Sequence, residues 1–272
     1  MNIDHFWHIL QTEYEYKSHR RHRFLVENLP GWATFIYYTQ LFRTVMNESL
    51  YARRKTYDNK IWANGSLAVF KIVESAGGRF HVSGLKALAG HQGPLVYIAN
   101  HMSLIDPLVL PCILLSFNNV SFVVKEGLLN YPFFSSIVSS TDPIAVTRKN
   151  PREDLKKVLD QGQNYISQGC SIAIFPQATR SDVFDTASFN SLGVKLARRA
   201  NVPVVPIALK TDFQSNGRFI KDMGAVNPLK GLYLKFGKPI VVEGKGQETH
   251  RKVVSFISEN LKAWGVDIKD NC

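Results

Sequence analysis

The chain is poor in cysteine, with only Cys112, Cys170 and Cys272 in 272 residues and no C-x-x-C spacing. Three widely separated cysteines exclude a disulfide framework and a thiolate zinc site, and point to reduced thiols in a cytosolic setting. Also missing is any window of about 18 uncharged apolar residues, so no conventional membrane-spanning helix is expected. The longest apolar region, 104–124, is broken by Asp106, Pro107 and Pro111. The opening residues, MNIDHFWHILQTEYEYK, carry acids and no continuous apolar core, so a secretory signal is not expected there. There is no internal repeat and no low-complexity tract. A chain that is 45% hydrophobic and 20% charged is neither disordered nor fibrous, and this length suffices for a full core.

Acid is scarce relative to base. Against 33 lysines and arginines stand 22 acids, a formal charge of +11. That balance favours an anionic partner, either nucleic acid or an acidic membrane surface. No helix-turn-helix signature, zinc spacing or RNP-like aromatic strand is present, which argues against nucleic acid. A basic soluble surface without a special partner is the plainer alternative.

Aromatic and basic residues crowd into residues 4–55. Phe6, Trp7, Tyr14, Tyr16, Phe24, Trp32, Phe35, Tyr37, Tyr38 and Phe42 alternate there with Lys17, Arg20, Arg21, Arg23, Arg43, Arg53, Arg54 and Lys55. Pro30-Gly31 divides the stretch into two helix-like pieces. This mixture suits a helix lying in a lipid interface, and equally an amphipathic hairpin packed on the rest of the chain. His19 and His22 stand at i, i+3, a spacing for a metal or for a solvated basic face. The expected organisation is an N-terminal amphipathic helical, membrane-associating segment, 1–55, followed by a main domain, 56–272.

From about residue 56 strands and helices alternate. A helical stretch from Tyr57 to Glu74 precedes the strand-like runs GRFHVSG, PLVYIAN, VSFVVK, DPIAVTR, CSIAIFPQ, VPVVPIALK and LYLKFGKPI. The clearest helix is NPREDLKKVLDQGQNYISQG. Asn150 is its N-cap, Pro151 its first residue, Glu153 and Asp154 lie in its first turn, and it stops at Gly169. Further helices are expected over Phe189–Ala200 and Glu248–Trp264. The pattern predicts an α/β fold: a mostly parallel central sheet flanked by helices, with functional groups at the carboxyl ends of strands.

His101 falls at such an end. Asn100-His101 closes the run LVYIA, and five residues after the histidine Asp106-Pro107 looks like a helix start. One turn apart, the carboxylate can reach one imidazole nitrogen, fix the tautomer and leave the other nitrogen to take a proton. That is a dyad for activating a hydroxyl. The alternative is a buried histidine satisfied by an aspartate N-cap. A second strand end carries QATRSD, with Thr179 and Arg180, and a third carries VTRKN, with Arg148 and Lys149. Arginines there can hold a phosphate through paired hydrogen bonds.

In this order the motifs resemble the glycerolipid acyltransferases, in particular the bacterial 1-acyl-glycerol-3-phosphate acyltransferases, over roughly residues 60–245. The family's NHxSxxD is complete in Asn100, His101, Ser103 and Asp106; its G-x-I-x-V-x-R appears as DPIAVTR; its FPEGTRS reads FPQATRS; its proline-containing strand is VPVVPIAL. The departures are Asp142 for a glycine, Gln177 for the glutamate and Ala178 for a glycine. The resemblance implies acyl transfer from a thioester, acyl-CoA or acyl carrier protein, to the free hydroxyl of a lysophospholipid. It implies His101 as general base and Asp106 as its partner, with Asn100, Ser103, Arg148, Gln177, Thr179 and Arg180 around the substrate. No metal and no cofactor are required. The expected place is the membrane's cytoplasmic face, bound peripherally or monotopically to its anionic surface. A different lysolipid or glycerol phosphate as acceptor, or a non-catalytic lipid-binding role, stay open as alternatives.

Overall fold

Eight strands form one sheet in the order β1-β2-β9-β8-β3-β6-β4-β5. The computed structural model describes residues 1–18, 31–54, 56–177, 179–217 and 223–269. His19, His22, Phe24, Pro30, Lys55, Ala178 and Cys272 lie outside the described residues. In chain order the strands are β1 Tyr16–Lys17, β2 Arg79–Ser83, β3 Val96–Ala99, β4 Val120–Lys125, β5 Ile144–Val146, β6 Ser171–Ile174, β7 Phe184–Asp185, β8 Val204–Lys210, β9 Gly231–Phe236 and β10 Ile268–Lys269. The helices are α1 Ile3–Thr12, α2 Trp32–Arg53, α3 Asn59–Ser75, α4 Ile105–Leu114, α5 Phe134–Ser139, α6 Pro151–Ser167, α7 Leu192–Ala200 and α8 Gln247–Ala263. β7 and β10 pair separately as a parallel ribbon.

Strands β5, β4, β6, β3 and β8 run parallel, so their carboxyl ends gather along one edge. β9 turns back antiparallel to β8, and β2 follows β9 in parallel. All four residues of β3 are buried because both faces of the sheet are covered, which is why VYIA reads as a continuous apolar run rather than an alternation. Tyr97 and Ala99 enter one core with α1–α4; Val96 and Ile98 enter the other with α6–α8. Gly193 lets α7 close on β3: a Cβ there would stand 2.7 Å from Ile98.

Caps and turns follow the sequence. Asn150 accepts from Glu153 N–H at the start of α6, and Asp58 accepts from Ile61 N–H at 2.8 Å at the start of α3. Pro111 interrupts the ladder of α4, and Ser66 repairs it: its hydroxyl accepts from Cys112 N–H and donates to the Leu108 carbonyl. Asp142 adopts φ 45°, the left-handed region where the resembling family's glycine would sit freely and where aspartate is among the better-tolerated alternatives.

The N-terminal segment divides into two kinds of structure. α1 is a core element, with Ile3, Phe6 and Leu10 buried in the main cluster and the Trp7 indole donating to the Cys112 carbonyl at 2.9 Å. β1 is an edge strand of the large sheet, antiparallel to β2. The reading of residues 1–55 as one lipid-facing unit is corrected for this part, because its apolar rings are spent on the protein's own core. α2 differs. It buries Tyr37 and Leu41, yet Trp32, Phe35, Phe42 and Leu50 share an outward face, with Phe35 62% and Phe42 59% exposed. No described helix is long and apolar enough to cross a membrane.

Candidate active site

The loop that leaves β3 turns back on itself at once. Asp106, in the first turn of α4, closes it: Oδ2 accepts from Met102 N–H at 2.7 Å and Ser103 N–H at 3.0 Å. The same oxygen lies 2.9 Å from His101 Nδ1. An ionised carboxylate can only accept, so Nδ1 carries the proton and Nε2 is left as the basic nitrogen. Asp106 is 0% exposed while the His101 side chain is 16% exposed, so the buried partner supports a ring that still meets the surface. The dyad expected from the spacing is formed.

Residues that follow β6 complete the setting. Phe175, just past β6, stacks on the imidazole with centroids 4.5 Å apart and planes 28° apart. A ring face against the histidine restrains its rotation. Gln177 Oε1 accepts the His101 backbone N–H at 2.6 Å, and the Ser181 N–H donates to the His101 carbonyl at 3.1 Å. A backbone N–H demands an acceptor, so the amide orientation is determined and its Nε2 faces away from that contact. A glutamate there would offer a second acceptor; this chain offers a donor.

The other expected site residues fall into three groups. Asn100 and Ser103 are turned inward and do not line a substrate surface. Asn100 exchanges two 2.8 Å bonds with the backbone of Leu209, pinning the end of β3 to β8. Ser103 Oγ accepts from Ile105 N–H and donates to Thr211 Oγ1 at 2.9 Å. Their expected substrate contacts are therefore replaced by contacts that shape the loop. Thr179 and Arg180 lie in the short loop between Gln177 and Ser181, both of which bond to the His101 backbone. Arg148 is held elsewhere. It follows β5, three strand spacings from β3, which is about 14 Å. Its backbone takes φ 60°, and its N–H donates to Asp154 at 2.7 Å. Burial lowers its guanidinium from the ordinary arginine value, against the opposing charge of Asp154.

Phe175 and Thr211 were not singled out from sequence as site residues. Phe175 stood inside a recognised motif, whereas Thr211 stands just after β8 with nothing local to mark it. Burial pushes the Cys112 thiol up to about 12 and the Cys170 thiol up to about 11, so neither of these two described cysteines offers a thiolate near neutral pH.

A family model described as Acyltransferase matches residues 79–210, the stretch that contains every strand end just described. The 1-acyl-sn-glycerol-3-phosphate acyltransferase of Pseudomonas aeruginosa is 28% identical over 203 residues, 75% of this chain and 73% of that protein. The chloroplastic 1-acyl-sn-glycerol-3-phosphate acyltransferase LPAT1 of Arabidopsis thaliana is 29% identical over 150 residues, and the match spans only 39% of its length. The crystal structure of the 1-acyl-sn-glycerophosphate acyltransferase PlsC from Thermotoga maritima superimposes with a TM-score of 0.62 at 16% identity, over 88% of this chain and 97% of that one. The last likeness is one of fold, and the mostly parallel sheet with flanking helices is common to both. Over its matched stretch, and along most of its length to the bacterial relative, this chain is similar to the acyltransferases.

Proposed function

We propose that the protein transfers a fatty acyl group from a thioester donor, acyl-CoA or acyl carrier protein, to the free hydroxyl of 1-acyl-glycerol-3-phosphate, giving phosphatidate for phospholipid synthesis. The observation that carries this reading is the His101–Asp106 pair, with a basic Nε2 at the carboxyl edge of a parallel sheet, inside the matched domain. Nε2 takes the hydroxyl proton as the acceptor oxygen bonds to the thioester carbonyl carbon. The tetrahedral intermediate collapses with cleavage of the C–S bond. The imidazolium then returns its proton to the departing sulfur, leaving ester and free thiol. Product analysis with labelled acyl-CoA and acyl carrier protein against a panel of lysolipids and glycerol phosphate tests it. Labelled phosphatidate is expected from lysophosphatidate, and absence of any labelled ester with either donor would refute the reading. Gln177 favours one variant of it, an acceptor other than lysophosphatidate, and the same panel separates the two.

Arg180 is assigned to the acceptor phosphate because it lies in the loop tied to His101. Arg180→Ala removes a charge-assisted contact made in both ground and transition states. Its KM for a phosphate-bearing acceptor is expected to rise roughly tenfold or more, with kcat changed little. An unchanged KM would move Arg180 out of the phosphate site.

A lysolipid and its two-chain product reside in a bilayer, so peripheral membrane association on the cytoplasmic side belongs to the same reading. The exposed face of α2 is its best anchor, since Phe35, stacked on Trp32, and Phe42, set edge-on to Phe133, still expose more than half of their surface, with the basic Arg43 on the same helix. Binding to anionic vesicles is expected to weaken in high salt but to persist, because charge is screened and buried rings are not. Removing residues 1–55 would strip Ile3, Phe6 and Leu10 from the core. The informative change is therefore Phe35→Ser with Phe42→Ser in the full chain. Co-sedimentation equal to the original at high salt would place the anchor elsewhere.

A further inference from the structure

Every proton around the Asp106 carboxylate can be placed by elimination. Oδ2 is shared by Met102 N–H, Ser103 N–H and His101 Nδ1–H. Oδ1 is met by the hydroxyl of Thr211, itself 0% exposed. A carboxylate accepts only, so the Thr211 proton points at Oδ1. The Thr211 oxygen then accepts from Ser103 Oγ at 2.9 Å, and Ser103 Oγ accepts from Ile105 N–H at 3.1 Å. The result is a one-way chain, Ile105 to Ser103 to Thr211 to Asp106, in which each bond polarises the next and all terminate on the buried charge.

We propose that Thr211 is a positioning residue for the acyl-transfer dyad: its hydroxyl holds the free oxygen of Asp106, and thereby sets the direction and strength with which Oδ2 holds His101. This rests on the reading of His101 as general base. Thr211 lies outside all four recognised motifs and comes from β8, more than a hundred residues from Asp106 in sequence. It arrives opposite the carboxylate because the parallel register pairs Ala99 with Ile207 and because Asn100 locks Leu209 in place. The Thr211 backbone N–H is held in turn by Met102 Sδ at 3.3 Å. Ser103 thus serves the dyad from within, by orienting Thr211. Asp106 is the charged group hydrogen-bonded to the imidazole, and Arg180 is the cation in the loop tied to the His101 backbone. Phe175 and Gln177 from β6 and Thr211 from β8 are neutral, and Lys210 and Asp212 on either side of Thr211 pair with each other at 2.7 Å.

The test is Thr211→Val, which keeps the shape and deletes the hydroxyl, with Thr211→Ser as the restoring change. Loss of one hydrogen bond to a buried charge predicts a kcat lower by roughly tenfold to a hundredfold, with KM for donor and acceptor unchanged. The undivided charge on Oδ2 should hold the protonated ring more tightly. The acid limb of kcat/KM then moves to higher pH, and the Nδ1–H proton resonance moves downfield. Thr211→Ser should return all three toward the original. A folded Thr211→Val protein with the original kcat and acid limb overturns the proposal. If Thr211→Val does not fold, Ser103→Ala supplies the test. It removes the bond feeding Thr211 and predicts a loss of a few-fold with the limb moved the same way, and an unmoved limb overturns the proposal. Activity surviving in His101→Ala would instead refute the general-base reading itself, so the two failures are distinct.

Discussion

His101→Ala is expected to lower kcat by roughly 10²–10⁴-fold while the fold is retained. The size follows from losing proton transfer at Nε2, the step that turns a weakly nucleophilic hydroxyl into an attacking oxygen. The intact fold follows from what the substitution leaves untouched. Its backbone N–H still reaches Gln177 Oε1, its carbonyl still accepts from Ser181 N–H, and Asp106 keeps the two backbone donors of Met102 and Ser103. Single-turnover measurement of acyl transfer, alongside circular dichroism, checks both halves. Turnover within a few-fold of the original would remove His101 from the chemistry.

Asp106→Asn is expected to cost about 10²-fold or more in kcat, through charge alone. Its amide orientation is predictable. Met102 N–H and Ser103 N–H converge where Oδ2 lies, so the asparagine oxygen must take that place and still accepts from His101 Nδ1–H. The tautomer is preserved. The amide nitrogen then faces Thr211, which must become an acceptor and turn its own proton toward Ser103, while Ile105 N–H still donates to Ser103. What disappears is the negative charge that favours the imidazolium. Sign follows directly: a carboxylate stabilises the protonated ring, so its loss moves the acid limb of kcat/KM to lower pH, opposite to the shift expected for Thr211→Val. A pH–rate profile across the acid range decides. An unmoved acid limb would mean that Asp106 organises the loop without acting on the ring.

Much of the candidate site was open to local reading. NHxSxxD lies within seven residues, and a helix start so close to a strand end leaves few ways for Asp106 to avoid His101. The capping of α6 by Asn150 and of α3 by Asp58, and the buried strand VYIA, are likewise short-range matters of propensity and patterning. The sequence therefore determined the elements, the parallel character of the sheet and the dyad. It left the partners of those groups open. Asn100 and Ser103 carry polar side chains of a kind that binds substrate, yet both face inward, because Leu209 and Thr211 offer them bonds across the sheet. α1 has the aromatic amphipathic composition of an interfacial helix, and only the presence of a complementary core surface on α3 and α4 decided that Phe6 and Leu10 turn inward. On α2, among the described residues, Phe35 and Phe42 stay more than half exposed. Strand order and register lie beyond local pattern, since alternation tells which residues share a face but not which strand lies alongside. Tertiary structure alone brought Thr211 to Asp106 and Phe175 to His101, and it set β5 with Arg148 three strands from the dyad, because each of these depends on pairing between segments far apart in the chain.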